Sequence, residues 1–142
     1  MKFYAVIDTN VVVSSMFRKG SVPGKIIDYA ISGEIVPLLN DEILSEYEEV
    51  LLRNEFGFDE NDVYEIINHI RQNAIFLDRT GADEIFPNPD DAVFYEIALT
   101  ARKTAEAYLV TGNTKHFPVK PFMVTPREML EIIEKNEGKV RH

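Results

Sequence analysis

The sequence predicts an α/β protein: a central, mostly parallel sheet covered by helices on both faces. Three observations carry that expectation. Short apolar runs recur along the chain, at residues 3–7, 35–39, 74–77, 107–110 and 122–124. Most are separated by stretches whose apolar residues repeat at helical spacing. The runs do not alternate with polar residues, as strands do when one face meets water, so both faces of the sheet should be covered.

The elements follow in order. Residues 3–7 form a buried strand that ends at Asp8, and a helix starting near Asn10 could use Asp8 as its cap. Ser21-Val22-Pro23-Gly24 opens an amphipathic stretch over 25–31, closed by Gly33. Residues 35–39 form a second strand, in which Pro37 suggests a sheet edge or a short strand. Asn40 or Asp41 caps a helix running to about Arg53, and Gly57 follows it. Residues 59–72 repeat the helical pattern through Val63, Ile66, Ile67 and Ile70. A third short strand covers 74–77. Pro87-Asn88-Pro89 marks a helix start, with Asn88 as cap and a core face of Phe94, Ile97, Ala98 and Ala101. The strand at 107–110 ends in Thr111-Gly112-Asn113, and Pro126 begins a last helix to about Glu134. One domain over residues 1–136 and a polar tail over 137–142 are expected.

Composition narrows the function. With 142 residues and 45% apolar content, the chain can bury one proper core. No run approaches the roughly 18 apolar residues that span a bilayer. Asp8 interrupts the first apolar run before a secretory core could form, so a cytoplasmic protein without a membrane partner is expected. The absence of cysteine excludes disulfides, thiolate metal sites and cysteine nucleophiles. A net charge of −9 argues against a passive nucleic-acid coat, which is usually basic. It leaves open an enzyme whose carboxylates bind cations that meet phosphate.

Parallel strands with right-handed crossovers align their carboxyl ends along one edge, where ligands bind. Asp8-Thr9-Asn10 and Thr111-Gly112-Asn113 should share that edge, and Asp90 and Asp91 join them if the helix after Asn88 starts there. At about 100° per residue, Asp91 falls some 20° from Ala98, while Asp90 also lies within the apolar stripe. On the helix running to about Arg53, Glu46 and Glu48 sit at opposite margins of the buried stripe. Periodicity does not choose within either pair. Lys115, His116 and Lys120 follow Asn113 and could meet a phosphate backbone, though a solvated loop explains them as well.

Four segments bear a resemblance. Val6-Ile7-Asp8-Thr9-Asn10 with Val11-Val12-Val13 resembles the opening of PIN domains. The segment from Ile43 through Glu46 to Leu51 is similar to their second acidic motif, Pro89-Asp90-Asp91-Ala92 to Ala98 to the third, and Tyr108 to Asn113 to the fourth. Taken together, they are closest to small single-domain proteins that act as toxins in toxin–antitoxin pairs. The resemblance implies a three-layer α/β/α fold and an endoribonuclease using Mg²⁺ or Mn²⁺, with RNA as substrate and a cognate antitoxin as partner. It carries Asp8, Glu46 and Asp91 over as the acids, with Asn10 beside the first. Asp8 and Asp91 would hold the metal, and Glu46 and Asn113 would ligate it or orient its waters, with Thr111 and Lys115 nearby. Asn113 departs from the pattern, whose fourth motif usually ends in Asp. That departure and the net charge favour the alternative, a degenerate domain that binds RNA or protein without cutting. A phospho-accepting receiver domain fits less well, because Asp8 has no adjacent acid and Asp78 comes too late in the order. Apolar residues near Tyr29 or Ile67 could form a homodimer face, which the sequence does not separate from core.

Overall fold

The computed structural model describes residues 2–140. Five strands, β1 (Phe3–Ile7), β2 (Ile35–Leu39), β3 (Ile75–Phe76), β4 (Ala107–Val110) and β5 (Met123–Val124), form one parallel sheet in the order β3-β2-β1-β4-β5. Six helices flank it: α1 (Thr9–Phe17), α2 (Val22–Ser32), α3 (Asp41–Leu51), α4 (Glu60–Gln72), α5 (Ala92–Arg102) and α6 (Pro126–Val140). The α/β class and the parallel sheet are therefore as the apolar runs implied.

Burial explains the strands. Every residue of β2 is buried, and all of β1 except half-buried Tyr4. The core joins these strands to α5 through Phe94, Ile97 and Ala98, to α2 through Ile26, Ile27 and Ala30, and to α6 through Met129, Leu130 and Ile133. Ile67 belongs to this core and Tyr29 packs against it.

Helix ends follow local chemistry. Ser21 accepts from the Gly24 N–H and Asn40 from the Ile43 N–H, each satisfying a free donor of the first turn. Gly33 ends α2 with φ of 93°, a left-handed conformation open to glycine at little cost, and its N–H returns to Tyr29 O. Asn88 does cap, but it opens a 3₁₀ turn over Pro89–Asp91, and α5 starts only at Ala92.

Three expectations shift. Pro37 lies in an inner strand, not at the sheet edge. Leu39 O accepts from the Leu77 N–H, so by the two-residue alternation of a strand Pro37 turns its nitrogen to the β3 side as well. Pairing with β3 begins only at Leu38, so the missing donor falls where no ladder bond is needed. The third strand is shorter than 74–77, with only two residues, both exposed. Helix α6 continues past Glu134 to Val140, into the expected tail, while 141 and 142 lie outside the described residues.

The order of the strands places the site. From β1 the chain winds outward through β2 and β3, then crosses back to β4 on β1's other side. The carboxyl ends of β1 and β4 therefore flank the point where winding reverses, which is where open α/β sheets bind ligands. Fully buried Tyr47 of α3 donates a hydrogen bond to Ile7 O and fixes the end of β1 just before Asp8. We expect Tyr47→Phe, which leaves that carbonyl without its partner, to destabilise the fold by about 1–3 kcal/mol in urea denaturation.

Candidate active site

The ladder between β1 and β4 ends with Ile7 opposite Val110, and the Asp8 N–H donates to Val110 O. Asp8 and Thr111 thus emerge side by side. Asp8 occupies the cap position of α1, yet its side chain makes no cap hydrogen bond. Instead its Oδ2 accepts from Asn10 Nδ2 at 2.9 Å and from Thr111 Oγ1 at 2.7 Å. Both donors are themselves tied down. Asn10 Oδ1 accepts from the Gly112 N–H at 3.1 Å, and Thr111 Oγ1 accepts from the Asn113 N–H at 3.0 Å. The network fixes one carboxylate orientation from both strand ends.

The other acids line the same opening, a cavity of about 740 Å³ bounded by Asp8, Glu46, Asp91, Asn113 and His116 among others. Glu46 is half-buried and accepts a hydrogen bond from Thr9 Oγ1, whereas Glu48 is exposed and does not border the cavity. Asp91 is half-buried at the junction of the 3₁₀ turn and α5, and its neighbour Asp90 is exposed. Of the first pair only Glu46 borders the cavity; Asp90 and Asp91 both border it, Asp91 the more buried of the two, and Asn113 borders it with an exposed side chain.

Charge in this cavity is costly. Burial holds the Asp8 carboxyl above its ordinary value near 3.8, more than the Thr111 and Asn10 hydrogen bonds bring it down. Burial likewise raises Asp91, and the Asp8 charge adds to it. Glu46 is raised first by burial and then by Asp8 and Asp91, with the Thr9 hydroxyl opposing. Asp91 Oδ2 is buried without a hydrogen-bond partner, and His116 Nδ1 lies 3.7 Å from it.

A divalent cation fits this donor set. Among the described residues no three Asp, Glu or His side chains stand close enough to hold an ion by themselves. Mg²⁺ does not need such a cage, since one or two carboxylates and several waters complete its shell. Hard oxygen donors with raised affinity for positive charge, one of them an orphan, match that requirement.

Some residues fall elsewhere or were undervalued. Lys115 is exposed and borders a separate cavity with Phe117 and Lys120, so it does not join the acids. His116 does join them, beyond what a lone loop histidine suggested. Arg79 also borders the acids, bridging Glu42 at 2.9 Å and Glu96 at 2.6 Å. No spacing rule pointed to it, because it sits in a loop whose path depends on tertiary packing.

The PIN domain family matches residues 4–115, and with them four-fifths of the chain and every acid of the cavity. The chain belongs to the PIN domain family. Members of it are generally metal-dependent nucleases, and a nuclease-type fold follows for this PIN domain. An uncharacterized protein of Methanocaldococcus jannaschii is 25% identical over 151 aligned positions, covering 95% of this chain and 94% of its own. No solved structure matches at a significant level. Among the described residues no helix is long and apolar enough to cross a membrane.

The raised Asp8 value has a consequence for stability. The native state holds this proton more tightly than the unfolded chain, so stability falls as pH rises from about 3.8 through the native value and stays reduced above it. Replacing the group removes that loss and relieves Asp91 and Glu46 as well. We expect Asp8→Asn to melt at a higher temperature than the parent in EDTA at pH 7, with the difference shrinking below pH 4 in calorimetric scans.

Proposed function

We propose that this PIN domain is an endoribonuclease that hydrolyses RNA phosphodiester bonds with Mg²⁺ or Mn²⁺, and that it serves as the toxin of a toxin–antitoxin pair in the cytoplasm. The observation that supports the metal-dependent reading most is the orphaned, buried Asp91 Oδ2 facing the same cavity as Asp8, whose charge raises it. Two carboxylates held apart from water by their own fold are expensive without a cation between them.

Asp8 and Asp91 would hold the ion, and Asn113 could supply a neutral amide oxygen. When bound, the ion lowers the pKa of a coordinated water and offsets charge on the phosphodiester. Glu46, oriented by the Thr9 hydroxyl at the same cavity, would serve as a proton acceptor. Asn10 and Thr111 keep Asp8 from turning, which preserves the geometry an in-line attack requires. Arg79 and His116 border the same cavity and could donate hydrogen bonds to phosphate oxygens. The toxin role is supported by the resemblance of the four motifs alone. Its test is genetic: expression should arrest growth, and a protein made from an adjacent gene should relieve the arrest.

Asn113 favours a second reading. One fewer negative charge at the cavity weakens cation binding, and a degenerate domain would bind RNA without cutting it. A cleavage assay on mixed RNA, titrated with Mn²⁺ and quenched with EDTA, separates the two. We expect Mn²⁺-dependent cleavage by the parent and at least a 100-fold loss in Asp8→Asn and Asp91→Asn, since even outer partners of metal ligands are worth 10–100-fold. Saturating Mn²⁺ should also raise the parent's melting temperature and leave that of Asp91→Asn unchanged. Equal cleavage by parent and variants would remove these acids from the chemistry.

A further inference from the structure

Three aromatic rings pack together beside the cavity, and one of them, Phe17, stands exposed outside the core. Phe17 closes α1, and Phe56 and Phe58 follow α3. Phe17 lies 5.6 Å from Phe56 at 76° and 4.7 Å from Phe58 at 55°, and Phe56 and Phe58 are near parallel at 22° and 5.7 Å. Phe56 borders the same cavity as Asp8 and Glu46. Phe17 is 59% exposed. A lone exposed phenylalanine needs no explanation, but one packed on two others beside a cleft does.

We infer that Phe17, supported by Phe56 and Phe58, is a stacking platform for an unpaired base of a single-stranded RNA whose phosphate lies at the acids. The inference rests on the ribonuclease reading and adds to it the residues that position the strand. Helix α1 runs from Thr9, at the acids, to Phe17, at the platform. Eight residues of helix span about 12 Å. At roughly 3.4 Å per nucleotide of stacked strand, that is about three nucleotides, or fewer if the strand is extended. Double-stranded RNA keeps its bases stacked on one another and offers the rings no free face, whereas a splayed single strand does.

The surroundings suit a nucleotide better than a protein. Exposed Arg18 and Lys19 follow Phe17 in the chain and exposed Arg53 precedes Phe56, with exposed Glu55 and Asp59 beside the other two rings, so the apolar patch is edged with charges of both signs. Stable protein interfaces bury about 1,200 Å² or more around an apolar centre. Arg53 borders the cavity and is held only by an exposed pair with Glu49, a contact easily exchanged for phosphate. Stacking is tolerant of base identity, so the platform sets position along the strand more than sequence.

The test is fluorescence anisotropy of the full chain in EDTA with a labelled single-stranded RNA short enough to bind in one register, beside the same RNA carrying single abasic positions. We expect Phe17→Ala to weaken binding about tenfold or more, and Phe17→Tyr to keep it within about twofold of the parent. One abasic position should cost the parent a similar factor and cost Phe17→Ala nothing further, because the two changes remove one contact. Unchanged binding by Phe17→Ala, or a tyrosine variant no better than alanine, overturns the platform. So does an abasic scan with no sensitive position, which decides the matter on the parent alone should Phe17→Ala misfold. A changed oligomeric state of Phe17→Ala by light scattering overturns it too, assigning the rings to a protein interface. Mn²⁺-dependent cleavage measured in parallel keeps the two readings apart. Cleavage with unaltered Phe17→Ala binding sinks the platform alone, and a parent that neither binds nor cuts RNA sinks both.

Discussion

The Asp8 carboxylate is held out of water at the place where the sheet reverses its winding, and the neighbouring structure is organised by that constraint. A buried charge survives only with partners or counter-charge. Here the partners come from both sides of the reversal, Asn10 from the helix after β1 and Thr111 from the end of β4. Each is locked by a backbone donor of the 112–113 turn. The β1–β4 register is what brings these groups together, so a slip of one residue would turn Asp8 away and leave Thr111 without its acceptor. Tyr47 adds a third restraint from α3, on the carbonyl just before the acid. The strand ends are thus specified by polar bonds, while the strands themselves are specified by apolar burial.

These polar bonds do not neutralise the site. Asp8, Glu46 and Asp91 are all pushed toward their protonated forms, with burial the first cause in each case. A chain selected only for stability would replace one of them, so their retention is a cost to folding that function must offset. A cation is the simplest compensation, because it turns mutual repulsion into shared attraction. Asn113 then reads as moderation: an oxygen donor remains, and the cavity carries less uncompensated charge when the ion is away.

Much of the fold was legible because parallel strands buried on both faces leave continuous apolar runs that little else imitates. The approximate locations of the five strands, a cap at Asn40 or Asp41, and the cap at Asn88 followed from such local signals. What failed depended on neighbours. Pro37 suggested an edge because the sequence does not show that β3 starts one residue too late to need its donor. The end of α6 was set too early because polar residues there were read as tail when they continue a helix. At the site, Asp8 stood out through its position after β1, whereas Glu46 and Asp91 were separable from Glu48 and Asp90 only by motif or by observed burial. Arg79 and His116 lie in loops, where periodicity carries no information.

Net charge constrains how such a site could meet a polyanion. The arginines bordering the cavity are already paired: Arg79 is bound to Glu42 and Glu96, and Arg53 meets Glu49 in an exposed contact that phosphate can displace. Long-range attraction for phosphate is therefore weak in a chain of charge −9. In the proposed reading, affinity for RNA would come from short-range terms, a cation held by the acids and uncharged contact with the bases. Exposed Phe17, packed on Phe56 beside the cavity, would supply the second term without adding positive charge that competes with a metal for Asp8 and Asp91. An acidic cleft and a stacking surface would in this sense be one solution, since each supplies what the other's charge pattern forbids.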